Sequence, residues 1–158
     1  MKAINKRRMH GVYVVEFAII GLLLFTLLFG VLEMGRLYFT VNALDEVVRR
    51  GARLAAVCQI SDPVILRRAI FNAATDSGAS SLIGGLQTAN LNLVYLDVNG
   101  VPVANPSDTR YVQLRVDNFP FNLLIPGFGG AFSLPAFRST IPSESLGFDG
   151  ESEVPTPC

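Results

Sequence analysis

The chain has one histidine, His10, and none after it. Ser-His and Cys-His nucleophilic catalysis and the usual zinc sites therefore have no imidazole in the body of the chain. Lysine is absent after Lys6, so every later basic residue is arginine. Four of the 13 basic residues precede Gly11 and all 13 acidic residues follow it. The body is thus mildly acidic, without the clustered cations that phosphate binding requires, which argues against nucleic acid as a partner. Gly84-Gly85 and Gly127-Phe128-Gly129-Gly130 lack the Lys-Ser/Thr of a phosphate loop. Asp97-Val98-Asn99-Gly100 lacks the later ligands and closing Glu of a calcium loop, and reads as a tight turn. The expectation is no catalytic residue, no cofactor, no metal and no small-molecule substrate.

Half of the 158 residues are hydrophobic and 16% are charged, with a mean hydropathy of +0.41. This is too apolar for a disordered chain and too polar for a multi-pass membrane protein. The apolar excess is concentrated near the start. Val12–Leu32 is a run of roughly 21 residues in which Glu16 is the only charge, the length a helix needs to cross a ~30 Å hydrocarbon core. Lys2, Lys6, Arg7 and Arg8 precede it, so the positive-inside bias places the N-terminus in the cytoplasm and the rest outside. Glu33 and Arg36 mark the far edge. The run is longer than a signal-peptide core and no A-x-A-like site closes it. A lipoprotein reading through Cys58 fails on Val57 and on Arg49, Arg50 and Arg53, which separate it from the apolar run.

Helical periodicity continues past the span. Leu37, Val41, Leu44, Val48 and Ala55 form one stripe, and Asp45 with Arg49 and Glu46 with Arg50 are i,i+4 pairs on the other face. No proline occurs before Pro63. A continuous helix from about Val12 to Cys58 is expected, about 70 Å long, of which only half fits in a bilayer. Ser61-Asp62-Pro63 is an N-cap signal for a second helix over Pro63–Ser77, followed by a Gly/Ser-rich loop over Ser77–Leu86. Leu91–Val98 and Arg110–Asp117 read as strands, the latter with Val112, Leu114 and Val116 on one face. Pro102 and Pro106 make the connection wander, and Phe132–Ile141 supplies a third strand, placed at an edge by Pro135. Phe121, Leu123, Leu124, Ile125 and Phe128 form either a partner-binding patch or part of the core. The fold class is α+β: a long N-terminal membrane and stem helix, then a small head with a second helix and a three- to four-stranded antiparallel sheet. The two cysteines, Cys58 and Cys158, permit an intramolecular bridge, an intermolecular one, or free thiols.

The stretch Arg7-Arg8-Met9-His10-Gly11-Val12-Tyr13-Val14-Val15-Glu16-Phe17 resembles the processing site of type IV-like prepilins: basic residues, Gly, then an apolar segment with Glu at its fifth position. The Glu16-Phe17 pair is similar to the tight-adherence (Tad) branch, and Arg49-Arg50-Gly51-Ala52-Arg53 resembles a motif of TadE-like pseudopilins. The resemblance implies cleavage by a prepilin peptidase between Gly11 and Val12. It also implies pairing of Glu16 with the new amine of Val12 on a neighbouring subunit, with Val12, Glu16 and Phe17 as assembly residues. The implied partners are the inner membrane, the peptidase and other pilins and pseudopilins of the Tad machinery. The implied role is that of a minor pilin in assembly and surface adhesion. The expected division is a leader over 1–11, a transmembrane half-stem over 12–35, an extracytoplasmic head over 36–142 and an acidic Ser/Pro tail over 143–158. Gly51, Ala52, Ala55 and Ala56 offer close approach either to another subunit or to the head's own sheet. The competing expectation is an uncleaved signal-anchored envelope protein with a partner-binding domain, which leaves Gly11 and Glu16 without a role.

Overall fold

The computed structural model describes residues 9–125, 129–148 and 158. The basic residues Lys2, Lys6, Arg7 and Arg8, the pair Gly127-Phe128 and the tail over 149–157 lie outside the described residues. The elements are α1 (Met9–Val57), α2 (Pro63–Ala69), β1 (Leu91–Leu96), β2 (Tyr111–Val116), β3 (Pro120–Asn122), β4 (Ala131–Ser133) and β5 (Phe137–Pro142). Short 3-10 turns stand at Thr88–Asn90 and Pro106–Asp108.

Helix α1 runs unbroken for 49 residues, about 73 Å at 1.5 Å per residue. From Ala43 upward its buried positions come in adjacent pairs one turn apart: Ala43 and Leu44, Val47 and Val48, Gly51 and Ala52, Ala55 and Ala56. That is the expected stripe, with Leu37 and Val41 half-buried at its lower end. On the outer face Arg49 pairs with Asp45. Arg50 does not pair with Glu46 as the spacing suggests; its guanidinium lies over the Phe71 ring, 5.5 Å from the centroid.

The stripe packs on an antiparallel sheet ordered β1-β2-β5. The register places Leu93 opposite Leu114 and Tyr95 opposite Val112, while Leu114 faces Ser139 and Val112 faces Ile141 on the other side. Val112, Leu114 and Val116 are fully buried, as their alternation predicts. Gly51 is the point of closest approach. A Cβ there would stand 2.1 Å from Leu114 Cδ2 and 2.9 Å from the Ala69 Cβ on α2. The small-residue face therefore serves the head's own packing and is unavailable to a second subunit.

Asp62 caps α2, its Oδ1 accepting from Val64 N–H at 2.8 Å, and Pro63 opens the first turn. The helix then ends at Ala69, well short of the expected Ser77. The stop is a C-terminal cap built without glycine. Phe71 takes φ +67, Asn72 N–H donates to Arg67 O at 3.1 Å, and Phe71 N–H donates to Arg68 O at 3.2 Å. Asn72 then fastens the following loop, its Nδ2 donating to Ser77 O and Ala79 O.

The expected strand over Phe132–Ile141 is two strands in different sheets. β4 pairs with β3, β5 pairs with β2, and Pro135 lies between, where a missing N–H interrupts the ladder. Strand β5 is an edge strand, as expected. The apolar cluster divides: Phe121 is buried and Leu123 packs partly buried against the core, Ile125 is half-buried, and Leu124 is exposed. Phe128 lies outside the described residues. After β1, Asp97 holds the Asn99-Gly100 turn by accepting from the backbone N–H groups of Val101 and Asn99, which holds its carboxyl below the usual range. Burial pushes the Tyr95 hydroxyl above its usual range, opposed by the Ser61 N–H that donates to its oxygen at 3.2 Å.

The chain after β5 closes the upper end of α1. Ala56 O accepts from Glu144 and Leu146 N–H, and Val57 O accepts from Gly147 N–H and Ser145 Oγ–H. These bonds satisfy carbonyls that a helix end leaves orphaned. Gly147, at φ +79, crosses so closely that a Cβ would stand 2.6 Å from the Gln59 backbone. Cys58 and Cys158 are bridged with Cα atoms 5.4 Å apart, a spacing ordinary for a disulfide. The Cys158 N–H also donates to Asp62 Oδ2 at 3.3 Å.

Gly51→Ala should lower head stability in urea unfolding by on the order of 1–3 kcal/mol, because the methyl meets Leu114 and Ala69. An unchanged midpoint would contradict the close approach. Cys158→Ser should cost on the order of 2–4 kcal/mol, since the bridge closes a loop with a sequence separation of 100. Adding reductant to that variant should then produce no further loss.

Candidate functional site

Among the described residues, nothing packs on the lower half of α1. From Gly11 to Leu32 its residues are exposed, apart from the half-exposed Gly21 and Gly30. It is the one helix among the described residues long and apolar enough to cross a membrane, and its most apolar window has a mean hydropathy of 2.5. Each uncovered Leu, Ile, Val or Phe forgoes about 1.5–3 kcal/mol of burial. A row that includes Ile19, Leu23, Leu27 and Val31 cannot remain in water and must be covered by lipid or by other helices.

Gly11, Val12, Glu16 and Phe17 all lie near the start of this bare segment, and all are exposed. Val12 and Glu16 are four residues apart and share a helix face, one turn from each other. Phe17 stands at the adjoining position and is 78% exposed. The helix begins before Gly11, so it runs through the Gly11–Val12 bond. Between Gly11 and Leu32 the sequence supplies no basic side chain, so no residue within the span can neutralise Glu16. The structure thus gathers the four residues on one short stretch of helix, while Cys58 and Cys158 meet at the opposite pole of the molecule.

One arrangement was not foreseen. Glu33 and Arg36, expected only as markers of the span's edge, form a two-pronged ion pair, with Arg36 Nη1 donating to Glu33 Oε1 at 2.6 Å and Oε2 at 2.8 Å. Arg36 Nη2 reaches Asn122 O at 3.2 Å, and the guanidinium lies 4.9 Å from the Phe121 ring centroid. Glu33 is only 7% exposed. The pair therefore ties the stem, just where it leaves the apolar run, to β3 of the head. The i,i+3 spacing was the available signal, but the contact with residues 121 and 122 crosses most of the sequence.

No group of three or more His, Cys, Asp or Glu side chains among the described residues is placed to hold a metal ion. What the described residues present is a membrane-length helix with one carboxylate near its start and a disulfide-closed head at its end. No curated protein and no solved structure matches the chain. Over residues 11–53, which take in the bare helix and most of the stretch that carries the head, the chain matches the family model of TadE-like protein, and with the apolar N-terminal helix this fits a Tad-associated, pilin-like membrane protein.

Proposed function

We propose that the chain is a minor pilin or pseudopilin of a Tad-type pilus. A prepilin peptidase cuts it between Gly11 and Val12. The segment Val12–Leu32 holds it in the inner membrane with the head outside, and it passes from there into a filament used for surface attachment. The observation that carries this reading is the lone carboxylate of the span, Glu16, one turn from Val12 on a helix segment that is otherwise uncharged and exposed among the described residues. A charge inside a membrane helix costs on the order of 2.5–3.5 kcal/mol near its centre, so Glu16 calls for a partner charge.

Cleavage supplies that partner. It frees an α-amino group on Val12 with a pKa near ~7.7–8, largely protonated at neutral pH. When stems pack side by side, the amine of one chain and the carboxylate of the next neutralise each other in an apolar core. A wrong stagger leaves both unpaired, at a cost of several kcal/mol. The pairing thus selects the register of assembly. The folded head, more than a short filament-shaft subunit needs, supports a minor position over a shaft position.

The uncleaved signal-anchored reading draws support from the head itself, whose packing begins at Glu33 and needs neither Gly11 nor Glu16. The two readings part at Glu16. Glu16→Ala should leave the membrane level and the disulfide of the protein unchanged and reduce its recovery in sheared pilus fractions at least tenfold. Recovery equal to the parent's would contradict the pilin reading, and a plain anchor should tolerate the change.

A further inference from the structure

The underside of the head differs from the rest of its surface. Two stretches of twenty residues, 77–96 and 118–137, contain no Asp, Glu, Lys or Arg, although charges occur throughout the remaining head sequence. Described parts of both stretches gather around the point where the stem leaves the apolar run. Arg36, Phe39 and Thr40 of α1 line one groove with Leu82, Ile83 and the Phe119–Asn122 segment. Phe39 and Leu82 of this groove are exposed; at the same level of the stem so is Tyr38, at 74%, and on the segments next to Phe121 so are Leu124, at 67%, and its strand partner Phe132. The Phe132 ring meets that of Phe121 at a tilt, with centroids 5.4 Å apart, and keeps 41% of its surface exposed.

The length of the span sets the depth of this ring. Val12–Leu32 rises about 31 Å, the full hydrocarbon thickness, and the headgroup layer adds about 5–7 Å on each side. At 1.5 Å per residue that layer takes in Glu33 to about Leu37, and the side chains of Tyr38 and Phe39, which lean toward the helix N-terminus, reach back into it. Arg36 holds β3 at that same level through Asn122 O and Phe121. A surface at this depth meets a medium that is apolar on one side and wet on the other. Side chains with an apolar body and a polar tip, tyrosine above all, are favoured there, and aliphatic side chains can bury their apolar surface on its inner side. The Glu33–Arg36 pair suits this boundary because its two charges cancel.

We propose that the underside of the head is a lipid-facing foot. Leu82 and Leu124, on separate loops of the head, join Tyr38 and Phe39 of the stem in the headgroup layer of the bilayer that α1 crosses. The foot fixes the height and tilt of the head on the membrane before the subunit leaves it. The inference rests on the reading of Val12–Leu32 as a membrane span, and its test separates the two.

The chain contains no tryptophan, so a single introduced one reports alone. The full chain would be reconstituted into phosphatidylcholine/phosphatidylglycerol vesicles carrying lipids brominated either near the headgroup or deep in the acyl chain. Four variants would be compared: Phe25→Trp within the span, Leu82→Trp and Leu124→Trp in the foot, and Val98→Trp, exposed on the turn after β1 at the far pole. Phe25→Trp should be quenched by the deep bromines. Leu82→Trp and Leu124→Trp should each lose at least half their emission to the shallow bromines, and Val98→Trp should lose none. If Phe25→Trp is quenched while both foot variants behave like Val98→Trp, the foot is overturned and the span stands. If the foot tryptophans are shielded only as the protein-to-lipid ratio rises, without bromine quenching, a second copy covers this face and the lipid assignment is overturned. An unquenched Phe25→Trp removes the span and the foot with it.

Discussion

One unbroken helix has to satisfy two different surroundings, and the remaining architecture follows from that constraint. The lower half of α1 is apolar on every side, which suits lipid or a bundle of like helices. The upper half is apolar along one stripe only, which suits a small sheet. The change from one pattern to the other occurs at Glu33 and Arg36, where the first charges after Glu16 appear and pair with each other. No proline or cap interrupts the helix there, so a force or displacement applied to the lower half passes directly to the head. That mechanical continuity distinguishes a stem from a tether.

The head is built around the stem. Its three-stranded sheet lays Val112, Leu114 and Val116 on the stripe, and Gly51 lets α1, α2 and β2 meet without a gap. A sheet this small has little core to spare, and small domains commonly need additional fastening. Here the fastening is local to the top of α1. The Glu144–Gly147 segment occupies the carbonyls of Ala56 and Val57, and the Cys58–Cys158 bridge fixes the far end of the chain at the same place. A bridge of this kind forms in an oxidising compartment, consistent with a head outside the cytoplasm.

Much of this was legible in the sequence because it depends on periodicity. The stripe from Leu37 to Ala55 and the inward face of β2 are patterns of 3.6 and 2 residues, and both appear where the patterns place them. The features that sequence missed depend on particular tertiary contacts. The end of α2 hides in Phe71, which takes a left-handed conformation usually given to glycine, with its ring beneath Arg50. The strands β3 and β4 are three residues each, too short to show a period, and prolines and glycines surround them. The glycine and alanines at 51, 52, 55 and 56 fit a subunit contact or an internal one equally well by composition, and only the position of Leu114 decides between them. At the candidate site, Glu16 was evident as a lone charge in an apolar run, whereas the link from Arg36 to Asn122 was not, because 86 residues separate the two.

The account stands most directly on the fate of the bond between Gly11 and Val12. Its test is the intact mass and N-terminal sequence of the protein extracted from membranes of cells with and without a functional prepilin peptidase. The account predicts a chain that starts at Val12 when the peptidase works and keeps residues 1–11 when it does not. A chain that retains the leader in both strains would contradict the pilin assignment and leave a signal-anchored envelope protein in its place.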